Sequence, residues 1–294
     1  MSSRARRLLR SACLRLLTIV SVVFLAGVAC ATMVRFAPGF AVDERELDPH
    51  LSAESIAAIR AQHTSEQNVA HFYFRYIVGL LHGDLGQAPT FSQPISRLLK
   101  ERASTTAQNL GYGLALAWCV ALAATLLAAA WQKPTADALF STATVALISL
   151  PAAVVALLIV IARKPASVAV AAALVPVLYR YSRNVVQKNF ECSWIVAARA
   201  RGISKARILF LHVLAGAAPQ LIALAGVSLN MAFGAALPVE VVADSAGIGQ
   251  LAWEAALARD LPLLVTITGL LAVMTLFANA AASLVNEAIQ LEQA

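Results

Sequence analysis

Residues 110–131 read LGYGLALAWCVALAATLLAAAW, a run of 22 residues that contains no charged side chain. An α-helix needs about 20 apolar residues to cross the hydrocarbon core of a bilayer, which is about 30 Å thick. A helix on the surface of a soluble protein instead carries polar residues along one face, and this stretch has no such face. It therefore predicts a membrane-spanning helix.

The composition of the whole chain agrees with a membrane protein. Of 294 residues, 60% are hydrophobic and 13% are charged, whereas soluble domains average about 45–50% and about 25%. The net charge of +7 could indicate a nucleic-acid partner, but the basic residues lie at the ends of apolar blocks, so no nucleic acid is expected. We interpret the four scattered cysteines as small apolar residues: Cys13, Cys30, Cys119 and Cys192.

Further apolar blocks predict an all-α polytopic protein with about six transmembrane helices. Ala166–Tyr179 is the marginal block, since its 14 residues reach only about 21 Å as a helix. It can span if the helix continues past Tyr181 and if Arg180 and Arg183 extend towards the membrane surface. The other predicted spans are each about 18 residues or longer: Leu16–Val34, Leu110–Trp131, Ala138–Ala162, Gln220–Leu237 and Leu261–Leu284.

The distribution of lysine and arginine predicts the orientation. With six spans and the N-terminus inside, 13 of the 23 basic residues are cytoplasmic, together with only Asp137, Glu191, Glu287 and Glu292 among the acids. This excess follows the positive-inside rule, so we expect a bacterial inner-membrane protein with both termini in the cytoplasm. The cytoplasmic cations are Arg4, Arg6, Arg7, Arg10, Arg15, Lys133, Arg180, Arg183, Lys188, Arg199, Arg201, Lys205 and Arg207.

The first span has a competing interpretation. Arg-rich Met1–Arg15, an apolar stretch and Ala29-Cys30-Ala31 imitate a secretory signal with a small-residue cleavage site, and Cys30 also suggests a lipoprotein site. Cleavage would leave five spans. The apolar stretch of 19 residues is long for the core of a signal peptide, so we favour a span that is retained.

The predicted domain organisation has three parts. The segment after the first span is polar and is expected to be external, with an amphipathic helix at Ser52–Gln67, an interfacial helix at Val69–His82 and a turn at Gly83-Asp84-Leu85-Gly86. The parts are the N-terminus with the first helix (1–34), the external segment (35–105) and the membrane core (106–294).

No sequence pattern indicates catalysis. The chain has no Walker A sequence, no His-Glu-x-x-His and no Gly-x-Ser-x-Gly, so we expect no catalytic residue, no metal and no cofactor. No acidic residue lies inside a predicted span, whereas transporters driven by ion gradients usually place carboxylates there. The energy for any transport is therefore expected to come from a source other than an ion gradient.

One predicted cytoplasmic loop, residues 194–208, combines small residues with cations. It is expected to form a helix, a turn at Gly202 and a second helix, because Gly202 fits the left-handed position at a helix C-terminus. Ala197 and Ala198 would let the helix approach a partner closely. Composition alone favours a different interpretation, a basic loop held at anionic lipid headgroups.

At these residues the sequence resembles the permeases of binding-protein-dependent ABC importers, in the dipeptide, oligopeptide and nickel branch. Ala197, Ala198, Gly202 and Pro219 match the family's Glu-Ala-Ala signature, although Val196 stands where the acid would be. Further matches follow in the family's order: Ala37-Pro38-Gly39, Gly83-Asp84-Leu85-Gly86, Gln93-Pro94-Ile95, Glu101-Arg102, Val239-Glu240-Val241, Gly247-Ile248-Gly249-Gln250-Leu251 and Ala258-Arg259-Asp260-Leu261-Pro262.

The sequence departs from the family's pattern at a few positions. Only Arg163-Lys164-Pro165 separates two apolar blocks, where the family usually has a longer external stretch. Ala246 replaces a common proline and Gly216 a common asparagine.

The resemblance implies a permease subunit, which forms the pathway for peptides or a related small solute while a separate subunit hydrolyses ATP. It implies an ATPase-coupling loop made of Ala197, Ala198, Arg199, Ala200, Arg201, Gly202, Ile203, Ser204 and Lys205. It also implies that Asp84, Glu240, Arg259 and Asp260 are candidates for docking a binding protein. The implied partners are ABC ATPase subunits, a second homologous permease, an extracytoplasmic substrate-binding protein and membrane lipid.

Two other classes of function stay open at this point. A secondary transporter or channel would purify without an ATPase, and a membrane enzyme or scaffold would need a catalytic or assembly site that the sequence does not indicate.

Overall fold

A computed structural model of the protein describes residues 17–18, 21–22, 24–29, 32–33, 76, 78–80, 82–131 and 134–293. The described residues between 17 and 33 are helical and lie inside the predicted first span, and those between 76 and 80 are helical and lie inside the predicted interfacial helix. The predicted helix Ser52–Gln67, the motif Ala37-Pro38-Gly39 and the basic N-terminal residues lie outside the described residues.

From residue 82 onwards, the described chain is almost entirely helical. A short hairpin pairs β1 and β2 in antiparallel fashion, with Gln87 opposite Pro94 and Ala88 opposite Gln93. In chain order the elements are β1 Gln87–Ala88, β2 Gln93–Pro94, α1 Ile95–Trp131, α2 Pro134–Ile148, α3 Ala152–Ile161, α4 Ala166–Phe190, α5 Ser193–Ala200, α6 Lys205–Ile208, a π-helical turn Leu209–Val213, α7 Leu214–Val242, α8 Ile248–Leu257 and α9 Leu261–Gln293.

Three helical stretches of the described chain are long and apolar enough to cross a membrane: Ile95–Ala130, Lys205–Val242 and Leu261–Ala280. They contain or overlap three of the predicted spans, and a bent helix pair adds at most a fourth. The all-α membrane class is therefore confirmed.

The predicted span Ala138–Ala162 is not one continuous helix. It is divided into α2 and α3, whose described parts Phe140–Ile148 and Ala152–Ile161 are bent by 102°. The break falls at Ser149, Leu150 and Pro151. Proline has no N–H to donate to the preceding turn and disfavours helical backbone in the residue before it, which explains why the first helix ends there.

Helix α4 begins at the marginal block and is longer than that block. It runs for 25 residues to Phe190, about 37 Å at 1.5 Å per residue. The helix thus continues past Tyr181, as the sequence required of a span. Three cations occupy its second half, Arg180, Arg183 and Lys188, and they lower its hydropathy below that of the three stretches named above.

Contacts divide the chain into two compact units, Met1–Arg102 with Leu251–Leu276, and Ala103–Gln250 with Phe277–Ala294. In the second unit α4 packs against α2, α3 and α7. The core is rich in alanine, which lets helix backbones approach closely. Its buried members are Leu110, Ala117, Ala121, Ala156, Ala166, Ala169, Val170, Ala171, Leu174, Leu178, Tyr179, Ala232, Ala236 and Val239.

Two features fix α1 against its neighbours in the second unit. Gly113 lies so close to α4 that a Cβ atom there would be 2.8 Å from the Cβ of Val170 and 3.0 Å from the carbonyl oxygen of Ser167. The indole N–H of Trp118 donates to the hydroxyl of Ser228 on α7 at 3.0 Å. Close packing and interhelical hydrogen bonds are the forces that hold helices together where no water drives them to associate.

In the first unit, the start of α9 packs among apolar residues, with Leu261, Leu263, Val265 and Ile267 buried. Burial raises the pKa of Tyr76 above its ordinary value, and a hydrogen bond with Thr266 partly offsets this shift. The Tyr76 phenol is therefore neutral at physiological pH.

Candidate functional site

Residues 193–208, here called the Gly202 segment, form the turn that the sequence predicts. Helix α5 ends at Ala200, and Gly202 takes a left-handed backbone with φ of +74°. The N–H of Ile203 donates to the carbonyl of Ala198, and the N–H of Gly202 donates to the carbonyl of Arg199. This pair of bonds is the Schellman motif, so the predicted left-handed position of Gly202 at the helix C-terminus is confirmed.

The inner face of the Gly202 segment anchors it to the second unit. Ile195 is fully buried, and Ala198 is only 5% exposed. They belong to an apolar cluster that joins the end of α4 to the start of α7, with Val186, Ile208, Leu209, Val213 and Ala217. Ala198 therefore faces the chain itself, whereas the sequence grouped it with residues that meet a partner.

The outer face of α5 is made of small or short side chains. Ser193, Val196, Ala197 and Ala200 are exposed, and they lie on the side of the helix opposite the buried pair, at spacings of three and four residues. Beyond the helix, Arg201, Ser204 and Lys205 are also exposed. The segment is thus fixed to the second unit by its buried inner face and presents a shallow outer surface bordered by positive charge.

A cleft of about 960 Å³ lies beside the Gly202 segment, between it and the C-terminal half of α1. Its lining is mainly apolar, with Leu126 and Phe210 among the side chains, and includes Arg199 and Lys205. The Arg199 guanidinium stacks over the Phe190 ring at 6.0 Å from its centroid, a favourable cation–π distance.

A second cluster of polar side chains surrounds Glu240, near the end of α7. The carboxylate of Glu240 is completely buried, although no predicted span contained an acid. Helix α7 extends to Val242, past the predicted end at Leu237, and so includes Glu240. The carboxylate accepts hydrogen bonds from Thr106 Oγ1 at 3.1 Å, Asn109 Nδ2 at 3.2 Å and the backbone N–H of Gly249 at 2.8 Å.

The loop that follows α7, residues 243–250 and here called the Glu240 loop, wraps around this carboxylate. A Cβ atom at Gly247 would overlap the carboxyl carbon of Glu240. At Gly249 it would be 2.8 Å from the carbonyl oxygen of Leu237. Both contacts are shorter than real Cβ atoms make, so both positions require glycine.

In the first unit, Asp260 links the hairpin to α9. Its carboxylate accepts the N–H of Leu263 at 3.1 Å, which caps the N-terminus of α9, and the N–H of Thr90 at 3.1 Å. Asp260 is 4% exposed. Its side chain therefore fixes two segments of its own chain.

The other two predicted docking residues lie at the surface. The Asp84 carboxylate accepts the N–H of Gly86 at 2.8 Å and stabilises the predicted Gly83–Gly86 turn. Arg259 is exposed and has a left-handed backbone with φ of +55°. Of the four predicted docking candidates, the structure thus exposes Asp84 and Arg259 and buries Glu240 and Asp260.

Sequence reasoning missed Thr106 and Asn109, which hold Glu240 from more than 130 positions away. No local sequence pattern identifies these two residues, because it is the packing of α1 that turns both side chains towards Glu240. Within the described residues, no group of three or more histidine, cysteine, aspartate or glutamate side chains could hold a metal ion.

Comparison with known proteins gives the class. The sequence profile of the family described as "Binding-protein-dependent transport system inner membrane component" matches residues 120–291, more than half of the chain. The chain belongs to this family. It is the permease subunit of an ABC importer in the bacterial inner membrane, and ATP hydrolysis belongs to a partner subunit.

Individual relatives agree with this class. The glutathione transport system permease protein GsiC of Escherichia coli O6:H1 (strain CFT073) is 25% identical over 270 residues, 85% of this chain and 87% of GsiC. GsiC of Shigella boydii serotype 4 (strain Sb227) is 24% identical over the same shares. A structure titled for inward-facing conformations of the MetNI methionine ABC transporter has a TM-score of 0.59 at 19% identity, over 66% of this chain and 97% of that chain. This likeness shows a shared fold.

Proposed function

We propose that this permease imports short peptides or a chemically similar small solute, and that the Gly202 segment couples it to the ATPase. The observation that carries the coupling proposal is the two-sided construction of α5. Its inner face is packed into the chain through Ile195 and Ala198, while the opposite face presents short side chains, with exposed Trp194 and Arg199 along its two edges. A helix built in this way can transmit force, because it is fixed to the permease and can also fit closely into a groove.

Backbone shape and small side chains support an ATPase rather than lipid as the partner of the outer face. Lipid headgroups require cations but no particular backbone shape. The Gly202 segment adds a Schellman motif and a surface of small residues, and neither contributes to lipid attraction. The exposed cations Arg201 and Lys205 beside that surface suit a groove with acidic residues at its rim.

In the proposed mechanism, the membrane assembly alternates between two states. ATP bound by the partner and solute delivered from outside each favour one state of the membrane assembly through contacts that differ between the states. The Gly202 segment connects through the π-helical turn directly to α7. Movement at the segment would therefore be carried along α7 to the Glu240 loop at its other end.

The proposed topology keeps the predicted six spans, cytoplasmic termini and the three-part organisation 1–34, 35–105 and 106–294. The Gly202 segment then faces the cytoplasm, and the Glu240 loop faces outwards. The exposed residues Asp84, Asp244 and Arg259 are proposed to contribute to docking the binding protein. A second, homologous permease is proposed to complete the pathway, with lipid around both.

The orientation can be checked with single cysteines in a variant whose four native cysteines are replaced by serine. The Asp244→Cys variant should react with a membrane-impermeant maleimide in intact spheroplasts, and the Ala200→Cys variant should react only in inverted vesicles. Both native side chains are exposed, so burial in this chain would not explain a negative result. We further expect bound ATPase subunits to protect position 200. Labelling of position 200 from outside would contradict the topology.

The solute class is supported by the relatives named for glutathione transport, since glutathione is a small peptide. We expect proteoliposomes with the complete importer to accumulate radiolabelled di- and tripeptides in an ATP-dependent manner. Excess unlabelled peptide should compete, whereas nickel ions should not. Uptake of nickel that peptides fail to inhibit would contradict the peptide assignment while leaving the ABC permease class intact.

A further inference from the structure

The groups that contact the Glu240 carboxylate are hydrogen-bond donors. The carboxylate oxygens face a hydroxyl from Thr106, an amide NH₂ from Asn109 and a backbone N–H from Gly249. A carboxylate can accept all three bonds, whereas a neutral amide would turn its own NH₂ towards one of the donors. Since a buried donor without an acceptor is costly, the surroundings specify an acceptor at both oxygens.

The same groups also hold the Glu240 loop. Thr106 Oγ1 accepts the N–H of Ile248 at 2.8 Å, and Asn109 Nδ2 donates to the hydroxyl of Ser245 at 3.0 Å. The N–H of Ser245 donates to the backbone carbonyl of Glu240 at 2.9 Å. The loop is thus fastened at its start, at its middle and at its end to groups on α1 and α7.

Little of the loop is left at the surface. Gly247, Ile248 and Gly249 are buried, and only Asp244 and Ala246 are exposed. The Asp244 carboxylate accepts a hydrogen bond from the Gln250 side chain, which closes the loop on itself. The position of the exposed tip is therefore set by the buried carboxylate beneath it.

We propose that Glu240 is a positioning residue for the docking of the binding protein. It would not touch the binding protein. Its carboxylate fastens the Glu240 loop to α1 and α7, so that the tip at Asp244 and Ala246 is presented in one shape. This inference rests on the proposed outward orientation of the loop and gives the predicted docking residue Glu240 an indirect role.

The donor arrangement allows an exchange experiment. Glu240→Gln places an amide NH₂ against the NH₂ of Asn109, and Asn109→Asp places two carboxylates against each other. The double variant Glu240→Gln/Asn109→Asp exchanges the two groups, because the amide introduced at position 240 can donate to the new carboxylate, which also accepts from the Ser245 hydroxyl. Total charge and side-chain size are nearly unchanged relative to the native pair.

The assay uses the complete importer in nanodiscs with solute-loaded binding protein. The concentration of binding protein that gives half-maximal stimulation of ATP hydrolysis is measured, with each variant normalised to its own unstimulated rate. We expect each single variant to raise this concentration about tenfold or more, as loss of about one buried charged hydrogen bond implies. The double variant should return to within about threefold of the native value, because the exchange restores every donor–acceptor pair.

A second readout follows the loop itself. In a variant without the native cysteines, the thiol introduced by Ala246→Cys should react with an impermeant maleimide at a changed rate in each single variant and at the native rate in the double variant. Unchanged reactivity in both single variants, or a double variant impaired as much as the two singles combined, would overturn the positioning role. Changed and restored reactivity without any change in stimulation would instead overturn the docking role of the loop.

Discussion

Replacement of Gly202 by valine is expected to reduce ATP-driven uptake and the stimulation of ATP hydrolysis at least tenfold, with the amount of protein in the membrane nearly unchanged. Gly202 has φ of +74°, and a residue with a Cβ atom pays about 1–2 kcal/mol in this conformation, β-branched residues more. Apart from its two neighbours in the chain, no atom of the described residues lies within 4 Å of a Cβ built at Gly202. Valine therefore acts through the backbone turn and through the surface presented to a partner.

Asparagine is the matched control, because it tolerates a left-handed backbone far better than valine. We expect Gly202→Asn to retain most of the uptake. Uptake and ATP hydrolysis by the reconstituted complex, alongside the level of membrane-inserted protein, separate the two substitutions.

Binding of the Gly202 segment to lipid alone would give the opposite effects of substitution on uptake. If the cations only hold the loop at lipid headgroups, Gly202→Val should have almost no effect, and Arg201→Gln with Lys205→Gln should impair the protein. Native uptake by the Gly202→Val variant would therefore exclude the coupling role.

The second large effect is expected at Gly113. Its replacement by alanine puts a methyl group 2.8 Å from Val170 and 3.0 Å from a backbone oxygen of α4, so α1 and α4 must move apart. Overpacking of this kind costs about 1–3 kcal/mol. We expect a clearly lower thermal unfolding temperature in detergent and a smaller amount of folded protein in the membrane.

Gly111 provides the control on the same helix, two residues away. Among the described residues, and apart from the backbone of its own helix, nothing lies within 4 Å of a Cβ atom there, and alanine is favoured over glycine in a helix by about 1 kcal/mol. Gly111→Ala should unfold at the native temperature or slightly above it. Equal destabilisation by both substitutions would show that α1 and α4 are not in close contact at Gly113.

Composition and block length sufficed to predict the helical membrane class, because crossing a bilayer constrains every residue of a span. The turn at Gly202 was predictable for a local reason, since few residues other than glycine adopt a left-handed backbone cheaply. Pro151 indicates the break between α2 and α3 in the sequence, but a hydropathy profile alone does not detect it.

The surroundings of Glu240 could not be predicted in the same way. Asn109 and Thr106 resemble ordinary polar residues in a helix, and only the packing of α1 beside α7 brings them to a carboxylate far along the chain. Ala197 and Ala198 are adjacent alanines in the sequence, and the fold alone decides that Ala197 is exposed and Ala198 is buried.

The π-helical turn Leu209–Val213 has a consequence for how this region can evolve. A π-helical turn holds one residue more than an α-helical turn, and each residue of an α-helix advances the chain by about 100° around the axis. Deleting one residue from the turn would restore regular α-helix and leave the Gly202 segment in nearly the same rotation relative to α7, because the turn holds that residue as an extra. A single-residue deletion is therefore expected to be tolerated within Leu209–Val213, whereas one in the regular α-helical part of α7 would rotate the residues on one side of it by about 100°.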